Sequence, residues 1–332
     1  MTWEQNPKRS NLYAKSLPRL GDALFGALAI FCFLLLLRNT DTAISFFSKG
    51  LLLCAQTVIP SLFPFMILAE LLASSSWICR LLSRAAAPIG RLVGLSSMGA
   101  TKLLLGMICG FPNGIRTAIL AYRNQEISKQ EAERIIALGS NPSAAFLIGT
   151  VGAVLFRDRG FGILLYVSLI VTALLIGAVT NRSSECQPID PPISSFVAHG
   201  GIAKRLTNAV SGAVNGILLI CAYVVFLGTL VGTVGLILEP LGLPPTFTAM
   251  LFSCFELSSG VSHAAMLEDS TAARILCALT VGWSGLSVHC QAISFCDDTN
   301  LSLRPYLRVK LLQSLLIGGL IGAVELLKRL LL

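Results

Sequence analysis

GMICGFPNGIRTA, residues 106–118, decides how the rest of the chain is read. It sits inside an apolar run of membrane length, 103–122, and interrupts it with Gly-Phe-Pro-Asn-Gly before placing Arg116 just beyond. Gly110 and Gly114 permit backbone conformations that other residues resist, Pro112 removes a donor, and Asn113 tolerates a left-handed turn. Backbone left unpaired in lipid costs several kcal/mol per group, so such a break survives only when buried in protein or lining a wet cavity. The run therefore reads as two half-helices that meet at a sheltered tip.

The surrounding chain supplies the membrane context. Of its 332 residues 54% are hydrophobic and 13% charged, and the mean hydropathy is +0.77, which excludes an ordinary soluble domain. Apolar runs fall near 20–37, 50–75, 103–122, 135–156, 161–180, 207–238, 245–260, 272–296 and 311–332. They predict an all-α polytopic membrane protein of six to nine membrane elements. The net charge of +8 comes from basic residues in short loops, where they orient a membrane protein; a nucleic-acid partner is not expected. Lys8, Arg9, Lys15 and Arg19 precede the first run, and Arg80, Arg84, Arg91 and Lys102 fall within 76–102 without an acid. The N-terminal tail, 1–19, and the 76–102 loop are both predicted to be cytoplasmic. The first run ends in Arg38-Asn39-Thr40-Asp41 with no small-residue cleavage site, so it is expected to remain as an uncleaved span.

Three further features shape the first half. IPSLFPF, residues 59–65, carries Pro60 and Pro64 and predicts a kinked or broken second span. Ser128 and Glu131 have capping-box spacing ahead of Ala132, Ile135 and Ile136, predicting a short amphipathic helix at the membrane interface. In GSNPS, residues 139–143, Gly139 ends that helix, Ser140 or Asn141 caps the next, and Pro142 suits its first turn. A helix starting at membrane depth would turn free N–H groups and a positive dipole end toward a cavity, which suits an anion. A surface loop between two spans is the competing reading.

The stretch 181–206 is the most polar and Pro-rich of the interior and is the candidate linker between two halves, 20–180 and 207–332. Aligning Gly114 with Gly260 of FELSSG places SNPS on Leu286-Ser287-Val288-His289, so each half carries two interruptions. Paired interruptions of this kind point to a transporter built from repeats, with its site near the midplane. Glu256 and His289 are ionisable residues among apolar neighbours, and such residues face a cavity or a partner. Arg116 and Glu256, each beside the first break of its half, are candidate partners across a pseudo-two-fold axis. Snorkelling to an interface for Arg116, and a shallow position for Glu256, are the bland alternatives. For His289 the choice lies between a neutral hydrogen bond between helices and a substrate or proton contact.

Enzyme signals are absent. The chain has no G-x-S-x-G elbow, Walker loop, H-E-x-x-H or dinucleotide fingerprint. Its ten cysteines show no C-x-x-C or zinc spacing and read as small buried hydrophobes. Neither a metal site nor a cofactor is expected.

The order IPSLFPFMILAELL, GFPNGIRTAIL, ISKQEAERIIALGSNPSAAFLIGTVG, FELSSG and GWSGLSVHCQ resembles the bacterial sporulation integral membrane protein family that carries nucleoside-recognition Gate domains. The resemblance runs from about residue 45 to 320. It implies a multi-pass protein of the cell membrane in spore-forming bacteria, with the outer forespore membrane as a candidate location. It also implies two Gate-like repeats, expected to be inverted, and transport of dipicolinate between mother cell and forespore. Where the family pattern would have a tyrosine in the first break, this chain has Phe111.

The combined expectation is a transporter or facilitator for a small organic anion. Its substrate contacts would come from Asn113, Arg116, Asn141 and Ser143 in the first half. The second half would contribute Glu256, Ser258, Ser259, Ser284, Ser287, His289 and Gln291. Arg116 would neutralise a carboxylate, and Glu256 would hold Arg116 or take up a coupling proton. The rival readings are a non-transporting scaffold of spore development, whose polar breaks only join helices, and a nucleoside carrier.

Overall fold

The computed structural model describes residues 20–181 and 201–331. The tail expected over 1–19 and most of the expected linker lie outside the described residues. The end of the linker, from Ile202, is already helical. Among the described residues there are helices and no strand. Among the described residues six helices are long and apolar enough to cross a membrane, or up to seven if one bent pair counts as a span.

The first half runs as α1 (Leu20–Arg38), α2 (Thr40–Leu53), a π-helical turn (Cys54–Val58), α3 (Ile59–Ala73), α4 (Ser76–Val93), α5 (Ser97–Cys109), α6 (Asn113–Arg123), α7 (Lys129–Gly139), a π-helix (Ala145–Leu155) and α8 (Arg159–Val179). After the linker come α9 (Ile202–Leu238), α10 (Pro245–Phe255), α11 (Leu257–Ala265), α12 (Ser270–Trp283), α13 (Gly285–Cys296) and α14 (Arg304–Leu331). The two halves interleave: α2 and α3 pack on α9, and α14 packs on α7 and α8 as well as on α12.

Local chemistry explains where elements start and stop. The π-helical turn immediately precedes Pro60, so the second span continues through the proline pair as one 34-residue element with a widened turn, where sequence suggested a kink or break. The 76–102 stretch, expected as a loop, is instead mostly helical. Ser75 caps α4, and Gly94, at φ +65°, ends it. The chain then bends by 99° into α5. The capping box of α7 forms as anticipated, with Ser128 Oγ accepting from Glu131 N–H and the Glu131 carboxylate accepting from Ser128 N–H. Yet α7 is no surface helix: Glu131, Ala132 and residues 135–139 are all buried, and Glu131 also accepts from Ser96 N–H at 2.7 Å. The amphipathic pattern marks a helix lying between other helices.

Outward faces are apolar. None of the α1 window is buried, and Leu24, Phe25, Leu28 and Phe31 are all more than half exposed; hydrocarbon rather than water is the solvent such a surface fits. At one end of the bundle Arg274 of α12 bridges Asp158, at the start of α8, at 2.9 Å and Glu325 of α14 at 3.3 Å. That network ties the first half to the second.

Candidate functional site

Four breaks, two from each half, form the centre. The first lies between α5 and α6 at 110–112, where sequence placed the tip. Gly110 there has φ +73° and ψ −178°, a conformation open essentially to glycine. A β-carbon on it would sit 2.6 Å from the backbone of Ser143. The second break, 140–143, thus packs directly on the first, and Phe111 N–H donates to Asn141 O at 2.7 Å. Capping differs from expectation. Ser143 Oγ, rather than Ser140 or Asn141, accepts from the Phe146 N–H of the following π-helix, at 3.2 Å. Asn141 turns its amide N–H back to Leu138 O instead.

In the second half one extended residue, Glu256, separates α10 from α11. Its carboxylate accepts from Ser258 N–H at 3.0 Å and Ser259 N–H at 2.6 Å. The positive end of α11, a site sequence could have offered to a substrate anion, is therefore filled by the chain's own acid. The last break is Ser284-Gly285, both at positive φ (+74° and +80°), between α12 and α13. It falls upstream of the 286–289 register that the alignment of halves suggested. A β-carbon on Gly285 would lie 2.9 Å from Leu257 N, so here too the two breaks of one half touch through a glycine.

All four breaks line one small cavity of about 50 Å³. Phe111, Pro142, Ser143 and Phe146 come from the first half, and Glu256, Ser258, Ser284, Ser287 and Gln291 from the second. That space holds a few waters and is too small for an aromatic ring with two carboxylates. Buried polar atoms are nearly always hydrogen-bonded, but around these breaks several are not. Ser287 Oγ and Gln291 Oε1, both lining the cavity, find no partner among the described residues, and neither do Asn113 Nδ2, Ser140 Oγ and His289 Nε2. α13 also begins at the cavity without a side-chain cap.

Of the residues proposed from sequence, all but Arg116 are buried. Ser143, Glu256, Ser258, Ser284, Ser287 and Gln291 meet at the cavity. Asn113 opens α6 just after the first break, Asn141 belongs to the second, and Ser259 donates its N–H to the Glu256 carboxylate that caps α11. His289 Nδ1 lies 2.9 Å from the Tyr306 hydroxyl of α14, the helix-to-helix hydrogen bond that was the blander of its two readings, and its ring meets Trp283 edge-on. Arg116 is the exception. Its guanidinium donates to Gly212 O of α9 at 2.8 Å and packs against that glycine, outside the residues lining the cavity. The anticipated Arg116–Glu256 pair does not form, because the α11 N-terminus holds the carboxylate and the α9 carbonyl holds the guanidinium.

A lysine not singled out from the sequence contacts the second break from behind the cavity wall. Lys310 of α14 is fully buried, donating to Asn141 Oδ1 at 2.6 Å and to Gln313 Oε1 at 3.2 Å. The last apolar run seemed to begin at 311, but α14 begins at Arg304. The available signal was periodicity: Tyr306, Lys310, Gln313 and Ile317 share one buried face, while Arg304 and Arg308 are exposed.

The chain is 24% identical over 335 residues to the sporulation integral membrane protein YlbJ of Bacillus subtilis (strain 168), a match covering 90% of this chain and 81% of that protein. The likeness supports a sporulation membrane family, in agreement with the motifs. No family model matches the chain, and no solved structure matches it.

Proposed function

We propose that the protein is a membrane transporter or facilitator of a small organic anion, with dipicolinate as the candidate substrate, built from two Gate-like repeats of inverted orientation. One observation carries the reading: breaks from both halves converge on one small cavity lined by polar side chains. A scaffold that used polar residues only to join helices would not need to gather Glu256, Ser284, Ser287 and Gln291 with the first-half breaks around a shared space. The succession of elements favours repeats, since each half has a hairpin of two short helices, then a broken helix, then a long span. Similarity to a sporulation membrane protein supports a role in spore formation.

In this scheme the cavity is a closed state. Substrate enters when the halves part and the breaks separate, its ring between Phe111 and Phe146 and a carboxylate at the uncapped start of α13. Glu256 would repel an anion while ionised, so substrate entry is accompanied by a proton on Glu256. A nucleoside is the second reading, favoured by the same two phenylalanines and by Glu256 being the one ionisable residue that lines the cavity.

Uptake by purified protein in proteoliposomes tests this directly. Labelled dipicolinate should accumulate and be competed by related dicarboxylates. Competition by nucleosides alone would establish the second reading, and a lack of uptake for every solute would defeat both.

A further inference from the structure

Arg116 lies against α9, so an anion in the cavity needs a positive charge from elsewhere. Lys310 is fully buried, and both of its partners are neutral amide oxygens. No carboxylate of the described residues lies within ion-pair distance of it. An isolated ammonium in a dry interior is costly unless something balances its charge. The third ammonium N–H has no acceptor among the described residues, and Ser140 Oγ, next to the Asn141 that holds the ammonium, is also buried and unpaired. Asn141 links this charge to the cavity. Its carbonyl takes the Phe111 N–H, and Phe111, Pro142 and Ser143 all form the cavity wall.

We infer that Lys310 is the cationic substrate-binding residue of the site: its ammonium, held by Asn141 and Gln313 in the closed state, passes to a substrate carboxylate when the second break opens. This rests on the proposed anion transport and gives it the charge that sequence assigned to Arg116. A lysine suits the role, because a flexible stem lets one ammonium exchange a neutral oxygen for a carboxylate, a stronger charge-assisted bond. Gln313 fixes the stem in the closed state, with its own amide anchored on Leu169 O at 2.9 Å.

The test compares pyridine-2,6-dicarboxylate with its uncharged diamide, binding each to full-length protein in micelles. Wild type should prefer the diacid, and Lys310→Met should erase that preference by on the order of 10- to 100-fold while diamide binding changes little. Lys310→Arg should restore part of it. Gln313→Glu gives the ammonium an internal counter-charge in nearly the same volume and should also weaken diacid binding selectively. If Lys310→Met does not fold, Gln313→Glu decides alone. Retained diacid preference in a folded Lys310→Met, or in Gln313→Glu should that variant have to decide, would overturn the role of Lys310 and leave anion transport standing. A wild type that binds neither compound would instead overturn the reading on which the inference rests.

Discussion

Gly110→Ala is the sharpest structural perturbation, because it strikes the point where the first two breaks touch. Two costs add. Gly110 sits at φ +73° and ψ −178°, where a residue with a β-carbon pays about 1–3 kcal/mol. The new methyl would also sit 2.6 Å from the Cα, Cβ and N of Ser143, and since two of those atoms are backbone the neighbour cannot rotate away. Such overpacking costs about 1–3 kcal/mol more, for a total of about 2–6 kcal/mol. The control is Gly149→Ala in the π-helix, whose added methyl meets nothing within 4 Å and should be neutral or slightly stabilising. Unfolding of both variants in mixed micelles, followed by helical signal, gives the comparison. Hydrogen exchange at Phe111 reads the local effect, since separating the breaks ruptures its 2.7 Å bond to Asn141 O. If Gly110→Ala matches Gly149→Ala within about 0.5 kcal/mol and Phe111 keeps its protection, the breaks do not touch as described.

Arg116→Glu combined with Glu256→Arg should do damage equal to the sum of the single changes within about 0.5 kcal/mol, since the two residues hold different partners; rescue in the double variant would show that they meet. Glu256→Ala should cost about 1–3 kcal/mol by uncapping α11, and Glu256→Gln, which keeps one accepting oxygen, should cost less. In transport, Glu256→Gln should flatten the pH dependence of uptake while the protein remains folded, and an unchanged profile would remove the coupling proton from this residue. Asp158, at the start of α8, has its carboxyl held below the ordinary 3.8, first by the Phe161 N–H and then by Arg274. A group depressed in the folded state stabilises above its unfolded value and loses that contribution as pH falls through the lowered one. Melting temperatures of wild type and Asp158→Asn should therefore differ at neutral pH and converge below about pH 4; a gap that widens on acidification would contradict the network.

The breaks were the most legible part of the chain, for a physical reason. Gly110, Pro112, Asn113 and Gly114 crowd four turn-favouring residues into five positions, so the interruption near 110–112 follows from local chemistry, whereas the isolated Pro64 and Pro88 lie inside helices. The capping box at Ser128 and Glu131 is equally local. Burial of α7 was not legible: its polar face looks solvated, yet Glu131 uses that face to reach Ser96 N–H, a contact made across 35 residues of chain. The same limit explains the two charges. Arg116 and Glu256 were matched by analogous position in the two halves, but each had a backbone partner available closer to hand. Lys310 was lost because one polar residue at the edge of an apolar run reads as a boundary. Only the full length of α14 reveals that it faces inward while Arg304 and Arg308 face out.

The central claim is that one cavity, shared by both halves, receives the substrate. In a cysteine-free background that retains uptake, single cysteines replacing Ser143 and Ser287 each place a thiol in the lining of that cavity, one from each half. The account predicts that dipicolinate slows maleimide labelling at both positions and that labelling either one stops uptake into proteoliposomes. Labelling that proceeds equally with and without substrate, together with uptake that continues after modification, would contradict it.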